Sequence, residues 1–371
     1  MQEETTNTTE LGEQPSRKKR ALKITLTVLF ILAVAAVIAY TAVRDFSGED
    51  VSLARVSEMI GENWHYLLVL LGLFAATILS EAVKFFLMIR KTTGRYMFGT
   101  AFNCAALGKF YDYVTPFGSG GQPFQIYYLS KHGVDGGPAG AIPIGSMFLI
   151  QFTFFVCAIV SFIVGVSTEI VPLYIQILAY FGSICYVSVS LFLVVFSFLP
   201  KAGHKVIAWG VKVLTKLRIC KNPEKWIEKG NNAIDNNKKN MGIIFHSKRV
   251  LIAGTLLSFV FNVAQCSMPY FTLLLFGAVT PSWGLWFEIT RVTFFIYCAI
   301  TIVPTPGNSG AADGTFYGLF GRILTVAGTC FTGMMIWRVF SFYSYIMLGV
   351  VVTIVIKVVA RVRARRADKL L

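Results

Sequence analysis

Three pairs of opposite charge, each spaced i and i+3, lie in apolar surroundings: Glu81 with Lys84, Lys109 with Asp112, and Glu288 with Arg291. That spacing sets both members of a pair on one helical face. Asp313 stands in a run of small residues, and Arg338 lies within a long apolar stretch. An ionised group in hydrocarbon is costly and needs a partner. The chemistry open to these groups is electrostatic: carboxylates can neutralise an ammonium group, and the cations can hold an oxyanion. The competing role is structural, an ion pair that keeps helices in register. For Glu81–Lys84 the two roles stand level, and Lys84 can also snorkel to the surface.

Two of these carboxylates adjoin breaks in the apolar pattern. The first break is Thr115-Pro116-Phe117-Gly118-Ser119-Gly120-Gly121-Gln122-Pro123. The second is Pro304-Thr305-Pro306-Gly307-Asn308-Ser309-Gly310-Ala311-Ala312-Asp313-Gly314. With a one-residue gap, both run Thr-Pro, Gly, then Ser-Gly followed by small residues and a polar one, 190 residues apart. Proline lacks an N–H and ends a helix, while glycine permits positive φ. Unwound backbone at membrane depth must face protein or a water-filled cavity. A helix that begins after such a break points its N–H groups at that cavity, where anions such as phosphate are favoured. A single break would read as a kink in packed helices. Two similar breaks read as a site, and Asp112 and Asp313 belong to it.

The elements that must position these residues are apolar helices. Of 371 residues, 55% are hydrophobic and only 14% charged, with a mean hydropathy of +0.64. Soluble chains carry roughly a quarter charged residues. Apolar stretches at 24–43, 65–89, 138–168, 172–199, 250–277 and 333–356 are each long enough to span a bilayer. Residues 24–43 could imitate a signal peptide, but the apolar run is 20 residues long and is taken as a retained helix.

Charge placement assigns the sides. The net charge of +15 concentrates at 17–23, at 90–95, in 200–249 (twelve Lys or Arg) and at 357–369. Basic segments lie on the cytoplasmic side and attract anionic headgroups. Nucleic-acid binding is not implied, since no recognition module accompanies the charge. The hairpin at 97–132 then begins and ends inside, and the one at 284–332 begins and ends outside. The expected fold is an all-α polytopic membrane protein. It has six long transmembrane helices plus two Pro/Gly-broken re-entrant hairpins in an inverted-repeat arrangement.

The chain divides into a cytoplasmic basic tail (1–23), a membrane half (24–199), a cytoplasmic basic interval (200–249), a second membrane half (250–356) and a second basic tail (357–371). In 200–249, Val206, Trp209, Val213 and Leu217 repeat at helical spacing among lysines. An interfacial amphipathic helix and a solvated loop are both open there, and the Asn-rich 231–240 reads as a turn. The seven cysteines form no CxxC pair and the four histidines are far apart, so neither metal nor redox chemistry is implied. No cofactor is implied, and no ATP-binding Gly-rich motif is present.

The segments ALGKFYDYVTPFGSGGQPFQIYYLSKHGV and PTPGNSGAADGTFYGLF resemble the two signature regions of the lysylphosphatidylglycerol synthase transmembrane region, the flippase module of the multiple peptide resistance factor family. Asn308 stands where Gly is usual in that family, and Asp313 where Glu is common. The resemblance implies an integral membrane lipid translocase that moves an aminoacylated phospholipid, such as lysylphosphatidylglycerol, between leaflets of a bacterial-type plasma membrane. In the family such transport reduces surface charge and gives resistance to cationic peptides. Asp112, Glu288 and Asp313 would then neutralise a cationic headgroup, while Lys109, Arg291 and helix N-termini hold its phosphate. Glu81, Arg338 and the turn residues would line the path: Thr115, Pro116, Gly118, Ser119, Gly120, Gly121 and Gln122 in one break, and Pro304, Thr305, Pro306, Gly307, Ser309 and Gly310 in the other. Two-part members add a cytoplasmic aminoacyl-transferase domain. This chain ends at Leu371 without one, so catalysis is not expected of it. The alternatives are a phosphatidylglycerol lysyltransferase-family protein that acts with a separate lipid aminoacyltransferase, and a membrane scaffold.

Overall fold

The computed structural model describes residues 53–164, 173–216, 222–301, 303, 305–321, 323–324 and 329–367. The expected first span at 24–43, the tail before it, and Pro304 lie outside them. Among the described residues every regular element is helical.

Helix α1 covers Leu53–Glu62 and α2 covers His65–Thr93. The 29 residues of α2 extend about 43 Å at 1.5 Å per residue. The helix stops at Gly94, whose left-handed φ of 73° lets its N–H reach the Arg90 carbonyl. The first hairpin follows: α3 (Phe98–Val114), a tight turn at Pro116–Gly118, and α4 (Gly121–Lys131). Arg95 donates from Nη1 to the Gly133 carbonyl at 3.0 Å, which ties the start of the hairpin to its end.

Helix α5 (Gly136–Val164) accommodates Pro143, and α6 spans Leu173–Phe198. The basic interval is helical: α7 is Pro200–Lys216 and α8 is Pro223–His246. The Asn-rich stretch is therefore not a turn but the interior of α8. Asparagine is a weak helix former, so packing elsewhere on the helix supplies what propensity does not. Asn240 donates to the Asn236 carbonyl at 2.8 Å, and α8 buries Met241 and Ile244 against α5. Val206, Trp209 and Val213 of α7 are exposed, and Leu217 lies outside the described residues.

Helix α9 (Lys248–Leu275) makes its most extensive packing with α2. The second hairpin is α10 (Trp283–Ile300), a turn at Pro306–Asn308 and α11 (Ala311–Phe320). The last rod runs from α12 (Thr329–Arg338) through a π turn at Val339–Tyr343 into α13 (Ser344–Ala367). Among the described residues, four helical stretches are long and apolar enough to cross a membrane: His65–Thr93, Gly136–Val164, Lys248–Leu275 and Thr329–Val362. They agree with four of the six expected spans, and α6 occupies the place of a fifth.

Candidate functional site

The two breaks fold into the same backbone shape. Thr115 and Thr305 are extended (φ −113° and −106°, both with ψ 147°), and each precedes a proline that starts a single 3-10 turn. The next two residues are left-handed in both: Phe117 and Gly118 at φ 56° and 61°, Gly307 and Asn308 at φ 58° and 52°. The serine that follows donates its hydroxyl back to the proline carbonyl at 2.9 Å, Ser119 to Pro116 and Ser309 to Pro306. The structural equivalence is gapless: Phe117 matches Gly307 and Gly118 matches Asn308. The one-residue gap needed to align the glycines in sequence disappears in space. An asparagine at the left-handed position keeps the turn, because Asn tolerates that region better than other side chains.

Each turn feeds a helix whose first amides meet a carboxylate. Gly121 N–H donates to Asp112 Oδ1 at 2.9 Å, and Gly120 N–H donates to Thr115 Oγ1 at 2.9 Å. In the second hairpin Gly310 N–H donates to Asp313 Oδ2 at 2.8 Å. One carboxylate comes from the last turn of the incoming arm, the other from the first turn of the outgoing arm. Each satisfies a helix-terminal donor that would otherwise be orphaned. The Gly121 and Gly310 N–H groups, at helix starts expected to hold phosphate, are occupied by the protein's own carboxylates.

Asp313 has a second partner. Arg338 Nε donates to its Oδ1, and Arg338 Nη1 donates to the Gly307 carbonyl at 3.1 Å. The last rod is thereby clamped to the second turn. Phe342 presses on the same turn: a Cβ at Gly307 would stand 2.0 Å from its ring.

The two turns touch one another, and beside them lies a cavity of about 770 Å³, within the usual span of small-molecule sites. Of the expected site residues, it is lined by Glu81, Lys109, Asp112, Gly118, Ser119, Gln122, Gly307 and Arg338. Thr115, Pro116, Gly120, Gly121, Thr305, Pro306, Ser309, Gly310 and Asp313 build the turns behind that lining. Glu288 and Arg291 are not among the lining residues.

The expected pairs behave differently. Glu81 and Lys84 form a buried ion pair that bridges three helices: Ser146 of α5 donates to Glu81 at 3.3 Å, and Lys84 donates to Ser258 of α9 at 3.0 Å. Lys84 is therefore fixed in the interior rather than snorkelling. Lys109 and Asp112 do not pair. The Lys109 ammonium lies 4.5 Å from the centre of the Phe261 ring, a cation–π contact.

Much of the polar lining comes from residues not anticipated as site residues: Gln125, Asn262, Gln265 and Tyr297. Asn262 donates to the Ile150 carbonyl at 2.9 Å. Gln265 links Tyr345, whose hydroxyl donates to its Oε1 at 2.9 Å, to the Tyr297 hydroxyl at 3.2 Å. The sequence signal for two of them was the i, i+3 spacing of Asn262 and Gln265 within an apolar helix. Among the described residues no cluster of His, Cys, Asp or Glu could hold a metal.

The family model described as the lysylphosphatidylglycerol synthase TM region matches residues 21–349, and the chain belongs to that family. No curated protein and no solved structure matches the chain.

Proposed function

From that membership as premise, we propose that the chain is an integral membrane lipid translocase that moves an aminoacylated phospholipid, such as lysylphosphatidylglycerol, between leaflets. One observation carries the proposal: two Thr-Pro turns of the same shape meet beside a cavity holding side chains of both signs. Opposed, unwound hairpins that meet at one site are the arrangement by which inverted-repeat transporters alternate access. In this scheme hairpins 97–132 and 284–332 are re-entrant from opposite faces. The termini and the α7–α8 pair are cytoplasmic, with Trp209 and the flanking lysines at anionic headgroups.

Glu81 and Asp112 receive the ammonium groups of the headgroup, and Lys109 faces its anionic part. Glu288 and Arg291 make no contact with the bound headgroup. The test is the amount of aminoacyl-lipid in the outer leaflet of cells supplied with a separate synthase, read with a leaflet-selective probe. Expression of the chain is expected to raise it, and Asp112→Ala to abolish the rise. Equal exposure with and without the chain would overturn the proposal.

A further inference from the structure

Arg338 is the last residue of α12, where the rod passes into the π turn Val339–Tyr343. Single π turns inside helices are frequent at functional sites. The Arg338 side chain is 7% exposed, and its fork of N–H donors is only partly used. Nε is held by Asp313 and Nη1 by the Gly307 carbonyl, while the buried Nη2 finds no partner among the described residues. Three residues on, the buried Ser341 hydroxyl is likewise without a partner there. Both residues line the cavity beside the turns.

Two orphaned donors, one of them cationic, at one cavity wall call for a ligand made of acceptors. We propose that Arg338 and Ser341 form a phosphate-ester subsite. One non-bridging oxygen accepts from Nη2, a charge-assisted bond, and the other from the Ser341 hydroxyl. Asp313 does not line the cavity, so it holds the guanidinium from behind and leaves Nη2 without a hydrogen-bond partner among the described residues. This places the anion on the last rod, rather than on Arg291 or on the Gly121 and Gly310 N–H groups, which the carboxylates occupy. The subsite rests on the translocase proposal only for naming a phospholipid as the source of the phosphate.

The test uses the full-length protein in uncharged detergent, with thermal unfolding followed against dihexanoylphosphatidylglycerol, dihexanoylglycerol and inorganic phosphate. The phosphatidylglycerol is expected to protect and the phosphate-free dihexanoylglycerol to have no effect. Ser341→Ala removes a hydroxyl that has no partner to lose among the described residues and should weaken the apparent Kd about tenfold. Arg338→Lys, whose single nitrogen cannot reach acceptors spread around a guanidinium, should weaken it further. Equal protection by inorganic phosphate, lost in Ser341→Ala, supports the anion subsite and identifies free phosphate as its ligand. Protection by dihexanoylglycerol equal to that of the phospholipid, or an unchanged Kd in Ser341→Ala, overturns the subsite. A protein that binds phosphatidylglycerol in this way yet exposes no aminoacyl-lipid in cells would fail the translocase proposal alone.

Discussion

Asp112 and Gly121 fit each other too closely for any other residue at 121. The Gly121 amide donates to Asp112 Oδ1 at 2.9 Å, and a Cβ added there would stand 2.1 Å from the same oxygen. Gly121→Ala must therefore displace the carboxylate and uncap α4. The expected loss of stability is about 0.5–2 kcal/mol, the range for losing an N-terminal cap. Asp112→Ala removes the same contact, so the double variant should be no worse than the more damaging single one. Unfolding in mixed micelles measures all three. Strict additivity would show that the two residues do not act through one contact.

Asp313 serves two partners, and substitutions can separate them. Asp313→Ala strands the buried Arg338 guanidinium, a change expected to cost about 3–5 kcal/mol. It also removes the acceptor for Gly310 N–H. Asp313→Asn keeps an acceptor for that amide and should recover about 1 kcal/mol of the loss. Asp313→Glu should be close to neutral, because glutamate is the usual side chain that reaches back from the third position of a capping box. Ranking the three variants by thermal unfolding checks the assignment. A Glu variant as damaged as the Ala variant would contradict it.

How far the sequence was legible depended on the distance over which a signal acts. The arm expected at 97–114 is α3 at Phe98–Val114, and the Glu81–Lys84 pair forms as its spacing implied. Both are properties of one helix. The Asp313–Arg338 clamp joins residues 25 apart in different helices, and no periodicity encodes it. Lys109 and Asp112 share a face by spacing, yet Gly121 N–H is a closer partner for the carboxylate and Phe261 for the ammonium. The helix through the Asn-rich stretch was hidden for a similar reason: α5, distant in sequence, supplies the packing that stabilises it.

The gapless match of the turns yields an asymmetric prediction. Phe117 holds a left-handed φ of 56° and is 64% exposed. Such backbone costs an L-residue roughly 1–2 kcal/mol, against about 0.5–1 kcal/mol of extra unfolded-chain entropy for glycine. Phe117→Gly should therefore leave stability within about 1 kcal/mol of the parent. The equivalent Gly307 has Phe342 ring atoms where a Cβ would go. Gly307→Ala should cost about 2–4 kcal/mol, combining backbone strain with overpacking. Adding Phe342→Ala should recover part of that cost. Similar losses for Phe117→Gly and Gly307→Ala in chemical unfolding would contradict this asymmetry.

Glu81 belongs both to a structural pair and to the cavity wall, and paired substitutions distinguish the two roles. Lys84→Met leaves the Glu81 carboxylate buried with Ser146 as its remaining partner, an uncompensated charge expected to cost about 3–5 kcal/mol. Glu81→Gln with Lys84→Met removes both charges together, and buried pairs replaced in this way often lose little. The double variant should therefore unfold within about 1–2 kcal/mol of the parent. Its transport is expected to stay impaired, because Glu81 lines the cavity and Lys84 does not. Lys109→Met gives the complementary result: stability should change by no more than the cation–π contact, about 0.5–2 kcal/mol, while transport falls. Full transport by a well-folded Glu81→Gln/Lys84→Met protein would assign Glu81 to helix register alone and leave Asp112 as the carboxylate that meets the headgroup.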